Sequence, residues 1–377
     1  MTEAKEREPI ILVEHKRQKS EYEMTFRDLW KRCFQDPEAY EEFYFDTVYP
    51  ENLVYTLSGK GMLHVNSYRC QVMGEEYHLP YIVGVATNKK YRRQGIMKSL
   101  LCRAMQDMRE EKLPFAYLMP AKVEYYSPFG FYPVTAKQER HVLCEISKGK
   151  ELSSKADFQY VSYSEVRTWD DKQQQELFRQ IDGWISSRNQ VYACHDAAYY
   201  DLLLKEKQCQ DGDVLFAFVN EDTTPNLCGV FAYVMDETTP YVEQVLCKES
   251  LLDSDCVLVP YFAGKEIVVM DSYCYMFRVI DVETFLELFG SFICSKEQEE
   301  KTLCVVDEWL PENCGQFRLR RADDTVIVAR TDSIRKREEQ SLRRDYTLKC
   351  DCVTMTVAEL ISYVFEEKER IYFAEIV

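Results

Sequence analysis

The sequence predicts a mixed α/β (α+β) fold, and three observations carry that reading. Apolar runs rich in β-branched and aromatic residues alternate along the chain with stretches of helical spacing. The chain has 377 residues, 46% of them hydrophobic and 29% charged, which is long for one hydrophobic core and suited to two or three domains. The pattern also changes character twice, dividing the chain into expected units at 1–150, 151–275 and 276–377.

In the first unit, "TFRDLWKRCF" puts Phe26, Leu29, Trp30 and Cys33 at helical spacing, with Thr25 as the expected cap, and "EEFYFDTVY" gives a short second helix. "NLVYTL" and "GMLHVNSYRCQVM" follow as strands around a glycine-containing turn. "EEYHLPYIVGVAT" is a third strand whose continuous apolar end predicts a central, doubly covered position. Met97, Leu100, Leu101, Ala104, Met105 and Met108 then form one helix face that ends near Leu113-Pro114, and "FAYLMP" resumes as a buried strand. The middle unit repeats the strand logic in "DVLFAFVNEDTTPNLCGVFAYVMDETTPYVEQVLC". Its continuation "KESLLDSDC" has no glycine and no basic cluster. In the last unit, "DVETFLELFGSF" predicts a helix starting at Asp281, and "QFRLRRADDTVIVARTD" a hairpin turning at Asp323-Asp324. "TVAELISYVF" predicts a helix with Thr356 and Glu359 in capping-box spacing.

Composition excludes several classes. No apolar run approaches the ~20 residues that span a bilayer, and the charged N-terminus is not a secretory signal. The 15 cysteines are an odd number, mostly scattered singly among apolar neighbours, as expected of free thiols in a reducing cytoplasm. Cys350 and Cys352 lack a second pair at zinc spacing, and the five histidines are dispersed. No metal site is therefore expected. A net charge of −17 argues against nucleic acid as a partner. It suits cationic small molecules, although solubility alone would also explain it.

One segment opposes this charge. "GVATNKKYRRQGIMKSLLCRAM" carries Lys89, Lys90, Arg92, Arg93, Lys98 and Arg103 and no acidic residue. It runs from an apolar strand through Thr87-Asn88 and Arg92-x-x-Gly95 into an amphipathic helix. The first backbone N–H groups of a helix lack intrahelical partners and attract anions, and Gly95 removes a side chain that would keep a phosphate away. The pattern predicts a pyrophosphate site, the plainer alternative being a solvated basic helix start. Dinucleotide and Walker A loops are absent.

The segment resembles the acetyl-CoA pyrophosphate motif of the GNAT N-acetyltransferases, R/Q-x-x-G-x-G/A after the central strand, with Arg92, Gly95 and Met97 at its three positions. Met97 departs from the usual small residue. "YYSPFGFYPV" resembles the Y-x-x-F-G-[FY] segment of the enhanced-intracellular-survival (Eis-like) branch. That resemblance covers nearly the whole chain. It implies a catalytic GNAT domain over 1–150 and a second GNAT-like domain without a phosphate loop over 151–275. A sterol-carrier-protein-like domain over 276–377 would supply the C-terminus to the active site.

The resemblance also implies roles. Val85, Ala86 and Thr87 would orient the acetyl group, and Arg92, Arg93, Gln94, Gly95, Ile96 and Met97 would hold the phosphates of acetyl-CoA. Tyr126 would protonate the leaving thiolate, with Tyr125 as the fallback. The carboxylate of Val377 would act as base, an expectation supported by the apolar ending "IYFAEIV". Asp28, Trp30 and Glu375 would line the amine site, although Trp30 also lies on the apolar face of its helix. The expected enzyme is an acyltransferase moving acetyl to a primary amine of an aminoglycoside- or polyamine-like molecule or of lysine. It would be cytoplasmic, without a membrane partner, and homo-oligomeric, often hexameric in this family. The alternative is a non-catalytic CoA-sensing or lipid-binding protein.

Overall fold

The strand patterns assemble into three sheets in a computed structural model that describes residues 10–13, 16–144, 158–221, 224–248, 255–294, 300–322, 325–333, 353–365 and 371–373. The first part of the chain runs β1 (Ile11–Val13), α1 (Lys16–Cys33), α2 (Glu38–Phe43), β2 (Leu53–Thr56), β3 (Gly61–Val72) and β4 (Glu75–Thr87). It continues through α3 (Ile96–Glu110), β5 (Phe115–Leu118), α4 (Val123–Tyr126) and β6 (Tyr132–Pro133). Strands β1 to β4 form an antiparallel meander, and β5 returns parallel to β4 after α3. Helix α1 passes through Thr25 instead of starting there. The preceding "KRQKSEYEM" contains no glycine or proline, so the helix extends toward the N-terminus. On α3 the buried stripe begins at Ile96, with Met97 half-buried.

The middle of the chain supplies β7 (Gln138–Leu143), β8 (Phe158–Ser162), α5 (Tyr163–Val166), α6 (Asp171–Ser186), β9 (Val191–Ala193) and α7 (Ala197–Gln208). There follow β10 (Asp213–Glu221), β11 (Thr224–Asp236), β12 (Thr239–Cys247), α8 (Asp255–Tyr261) and β13 (Glu266–Ser272). The second sheet has the order β7-β13-β12-β11-β10-β8. Most of "KESLLDSDC" lies outside the described residues.

The last part contains β14 (Met276–Val279), α9 (Val282–Ile293), β15 (Glu300–Val306), β16 (Gly315–Ala322), β17 (Thr325–Ser333), β18 (Val353–Thr356), α10 (Val357–Phe365) and β19 (Ile371–Tyr372). The third sheet is β17-β16-β15-β18. Asp281 caps α9 by accepting from Thr284 N at 2.8 Å. Thr356 and Glu359 form the expected reciprocal cap on α10. The turn residues Asp323-Asp324 and the cysteines Cys350 and Cys352 lie outside the described residues.

The sheets do not divide where the sequence changes character. β7, which precedes residue 150, pairs with β13 of the second sheet. β14, which follows residue 275, is fully buried and pairs with β5 and β6 of the first sheet. β9 joins β3, and β19 joins β9, so the first sheet draws on strands from the whole chain. Apolar cores cross the same limits. One joins α1 and α2 to α6, α7, β10 and β11, and another joins β5 to α9, α10 and the third sheet. Among the described residues, no helix is long and apolar enough to cross a membrane.

Candidate active site

The site begins at a fault in β4. Met62 faces Ala86 but His64 faces Val83, so Gly84 and Val85 together oppose Leu63 as a β-bulge. Gly84 has φ +60°, and a Cβ there would meet Trp30 Cζ3 at 2.7 Å. Only glycine suits both conditions. A bulge bends its strand and takes the extra residue out of the ladder. On its other edge, β4 is registered with β5 only at Tyr81 and Tyr117. Val85, Ala86 and Thr87 thus lie where β4 has parted from β5.

Trp30 supports this bulge from the core. It is 2% exposed, stacks on Tyr44 at 4.5 Å, and donates Nε1–H to Asp36 Oδ2 at 2.8 Å. Its surroundings are those of a packing residue. Asp28 lies on the solvent side of α1, its carboxylate 3.4 Å from Arg32.

After β4 the chain makes one 3₁₀ turn, Lys89–Tyr91, capped by Asn88 Oδ1, which accepts from Lys90 N at 3.1 Å. Arg92 folds back to donate Nε–H to Thr87 O at 3.1 Å. Arg93 and Gly95 both have left-handed backbone, at φ +63° and +79°, and they swing the chain around exposed Gln94 into α3. The first turn of α3 holds no acidic residue. A Cβ on Gly95 would meet nothing within 4 Å, so the helix start opens onto free space. The free N–H groups at the head of α3, the open space at Gly95 and the surrounding Arg and Lys side chains fit a polyphosphate. Met97 packs against the apolar cluster beneath the helix.

Tyr126 ends α4 and is 7% exposed, its ring edge-on to Phe131 at 5.8 Å. Its hydroxyl has no hydrogen-bond partner among the described residues. Burial pushes its pKa up to about 12, so the phenol keeps its proton at neutral pH. Tyr126 and Ile96 belong to one apolar cluster, with Val85 and Met97 packed against it. Val85 of the bulge, the first residues of α3 and Tyr126 thus border one apolar cluster. Tyr125 is 52% exposed.

A two-lobed cleft opens between the first two sheets, its lobes about 170 and 180 Å³ in volume, with Glu243, Gln244, Tyr273 and Tyr275 as shared walls. One lobe reaches Asp36, Tyr40 and Met119, the residue after β5. The other is lined by Ile371–Phe373. In the wall of the lobe that reaches Asp36, Lys207 is buried, 2.7 Å from Glu206 Oε1 and paired with Glu243. Burial raises the Glu206 carboxyl to about 7 against the pull of Lys207. Glu206 Oε2 and Gln244 Oε1 are buried without partners. These wall residues escaped sequence reasoning. Glu206 and Gln244 lie in an unremarkable helix and an alternating strand, and only the pairing of sheets brings them together.

The last described strand also arrives here. β19 lies parallel to β9, and buried Phe373 stacks on Tyr117 at 4.6 Å. Tyr117 marks the point where β4 and β5 part. Glu375 and Val377 lie outside the described residues. Among the described residues, no group of three or more His, Cys, Asp or Glu could hold a metal ion.

Residues 14–134 match the family model of the acetyltransferase (GNAT) domain. That segment holds the bulge, the helix start and Tyr126, and it makes the chain an acyltransferase enzyme. No curated protein matches the sequence. Among solved structures, a probable N-acyltransferase from Enterococcus faecalis is similar at 13% identity and a TM-score of 0.69, covering 93% of this chain and 88% of that one. A GCN5-related N-acetyltransferase from Anabaena variabilis is similar at 14% identity and TM-score 0.68, covering 94% and 89%. Eis1 from Mycobacterium abscessus is similar at 13% identity and TM-score 0.58, covering 95% and 89%. At these identities the likeness is one of fold.

Proposed function

We propose that the protein transfers an acetyl group from acetyl-CoA to a primary amine of a cationic small molecule or of a lysine side chain. The observation that carries this reading is the gathering of Tyr126, Val85, Ile96 and Met97 around one apolar cluster. Acetyl-CoA would supply an activated thioester. Arg92, Arg93, Gln94, Gly95, Ile96 and Met97 hold its phosphates at the start of α3, and Val85 to Thr87 orient the acyl group at the parted edge of β4. Tyr126 holds the proton that the departing sulfur requires.

The amine approaches through the acidic, tyrosine-walled cleft, which favours cations by charge and by ring faces. The carboxylate of Val377 serves as base, an assignment supported by the docking of Phe373 on Tyr117. Glu375 is assigned to the amine site as well, and Asp28 adds negative charge on α1. β12, α8 and β13 repeat the strand–helix–parallel-strand plan of β4, α3 and β5, in support of a second GNAT-like unit. Third-sheet strands under α9 and α10 suit a sterol-carrier-like unit. Cytoplasmic residence agrees with the free cysteines, and homo-oligomers are expected from the family resemblance.

The test is amine-dependent release of CoA thiol from acetyl-CoA across polyamines, aminoglycosides and lysine peptides. Release with one class establishes the transfer and names the acceptor. Silence across the panel, with acetyl-CoA binding intact, would favour a CoA sensor.

A further inference from the structure

The loop between β15 and β16 makes contacts that the reaction above does not use. Asp307 is fully buried, and its carboxylate accepts five hydrogen bonds. Arg278 Nη2 donates to both oxygens at 2.7 and 2.9 Å. Trp309 N and Leu310 N donate to Oδ1 at 3.0 and 3.2 Å, and Asn313 Nδ2 donates to Oδ2 at 2.9 Å. A buried ion pair is costly to desolvate, and here the neighbouring donors meet that cost by saturating the carboxylate.

The loop grips the first unit at three places. Arg278, held by Asp307, donates Nε–H to Phe129 O at 2.6 Å, three residues beyond Tyr126. Trp309 donates Nε1–H to Pro128 O at 2.8 Å and packs its ring 5.1 Å from that of Phe129. The same indole lies 4.5 Å beneath Lys98 Nζ, in the first turn of α3. At the other end of α3, Arg109 donates Nε–H to Asn313 Oδ1 at 3.2 Å and pairs with Asp281. Gly130 completes the fit: a Cβ there would stand 3.0 Å from both Arg278 Nε and Val357 Cγ2.

We infer that Asp307–Asn313 is a positioning strap that fixes the Tyr126 turn against the phosphate-binding helix, with Trp309 its positioning residue. The inference rests on the reading of Tyr126 as proton donor. A phenol without a hydrogen bond of its own is aimed only by the backbone that carries it, and the strap holds that backbone through Pro128 and Phe129. Trp309 is half-buried on the strap's outer side, so it can be changed with the Asp307 hub left whole.

The test is a double-mutant cycle on the full-length protein with Trp309→Leu and Tyr126→Phe, reading kcat, acetyl-CoA Kd and melting temperature. Trp309→Leu is expected to lower kcat by about tenfold, as misplacement of a reacting group does, with Kd changed less than twofold or so. In the Tyr126→Phe background it is expected to lower kcat no further. An unchanged kcat in Trp309→Leu, or losses that multiply in the double variant, would overturn the strap. An unchanged kcat in Tyr126→Phe alone would instead sink the reading of Tyr126. Should Trp309→Leu fail to fold, Trp309→Phe keeps a ring over Lys98, loses only the donor to Pro128, and is read by the same criteria.

Discussion

Tyr126 shows how burial sets chemistry at a single residue. Its phenol lies in an apolar cluster, pushed up to about 12 by desolvation, and it needs no base or metal to stay protonated at neutral pH. Tyr126→Phe is expected to lower kcat by about 10²-fold or more with acetyl-CoA affinity nearly unchanged. The role proposed for Tyr126 requires the neutral phenol, which is lost only as pH rises through about 12. The kcat profile of the wild type is therefore expected to show no fall from Tyr126 below about pH 10, and a steady-state pH series checks this. His195 shows the opposite sign. Buried against Tyr199 and bonded through Nδ1 to the Tyr200 hydroxyl at 3.0 Å, it is pushed down by burial to about 3. Between about 3 and about 6.5 the unfolded chain takes a proton that the fold refuses. Stability is thus full above that window and falls as pH drops through it, by up to about 1.4 kcal/mol per unit. Glu206, raised to about 7, acts in the opposite sense as pH rises, so the clean measurement compares wild type with His195→Gln. Denaturant unfolding from pH 7 to 4 should show a shallower acid decline in the variant; equal declines would contradict the account.

At the scale of elements, two left-handed glycines do different work. Gly84 turns the bulge of β4 over Trp30, and Gly95 opens the start of α3. Gly84→Ala should cost about 1–3 kcal/mol of stability from strain and overpacking, read by denaturant unfolding. Gly95→Ala has room for its methyl group and should cost about 1 kcal/mol in backbone strain. Its larger effect should fall on acetyl-CoA, weakening Kd on the order of tenfold, read by calorimetry. Equal effects of the two changes on stability and on Kd would contradict this division. Both glycines sit in a segment legible from sequence, because strand β4, the basic turn and the stripe of α3 are local patterns. The role of Trp30 was only half legible. Its helical spacing placed it on the apolar face, but the bulge it supports lies 54 residues further on, at Gly84. The capping of α9 and α10 was fully legible, since a cap involves residues only three apart.

Across the whole molecule, the sequence patterns predicted which residues form strands better than which sheet receives them. β7, β9, β14 and β19 each join a strand far away in the chain, and nothing in "MFRV" or "VYA" records its partner. The cleft walls Glu206, Gln244 and Tyr275 were illegible for the same reason, since their meaning arises from contacts between sheets. Helices α6 and α7, by contrast, carried local signals that went unread, the Asp170–Gln173 cap with its Leu177-Ile181-Ile185 stripe and the Asp196 cap. The β15–β16 loop and the docked Phe373 both bring the last part of the chain against the first, at Pro128 and at Tyr117. The proposed transferase site draws on these parts together, with the carboxylate of Val377 as its base. Appending a short polar tail after Val377 and measuring steady-state turnover, with acetyl-CoA Kd and melting temperature as controls, tests it most directly. The expected result is a fall in kcat of about 10²-fold or more, the scale of a lost general base, with Kd and melting temperature held. Full turnover in the tailed protein would contradict it.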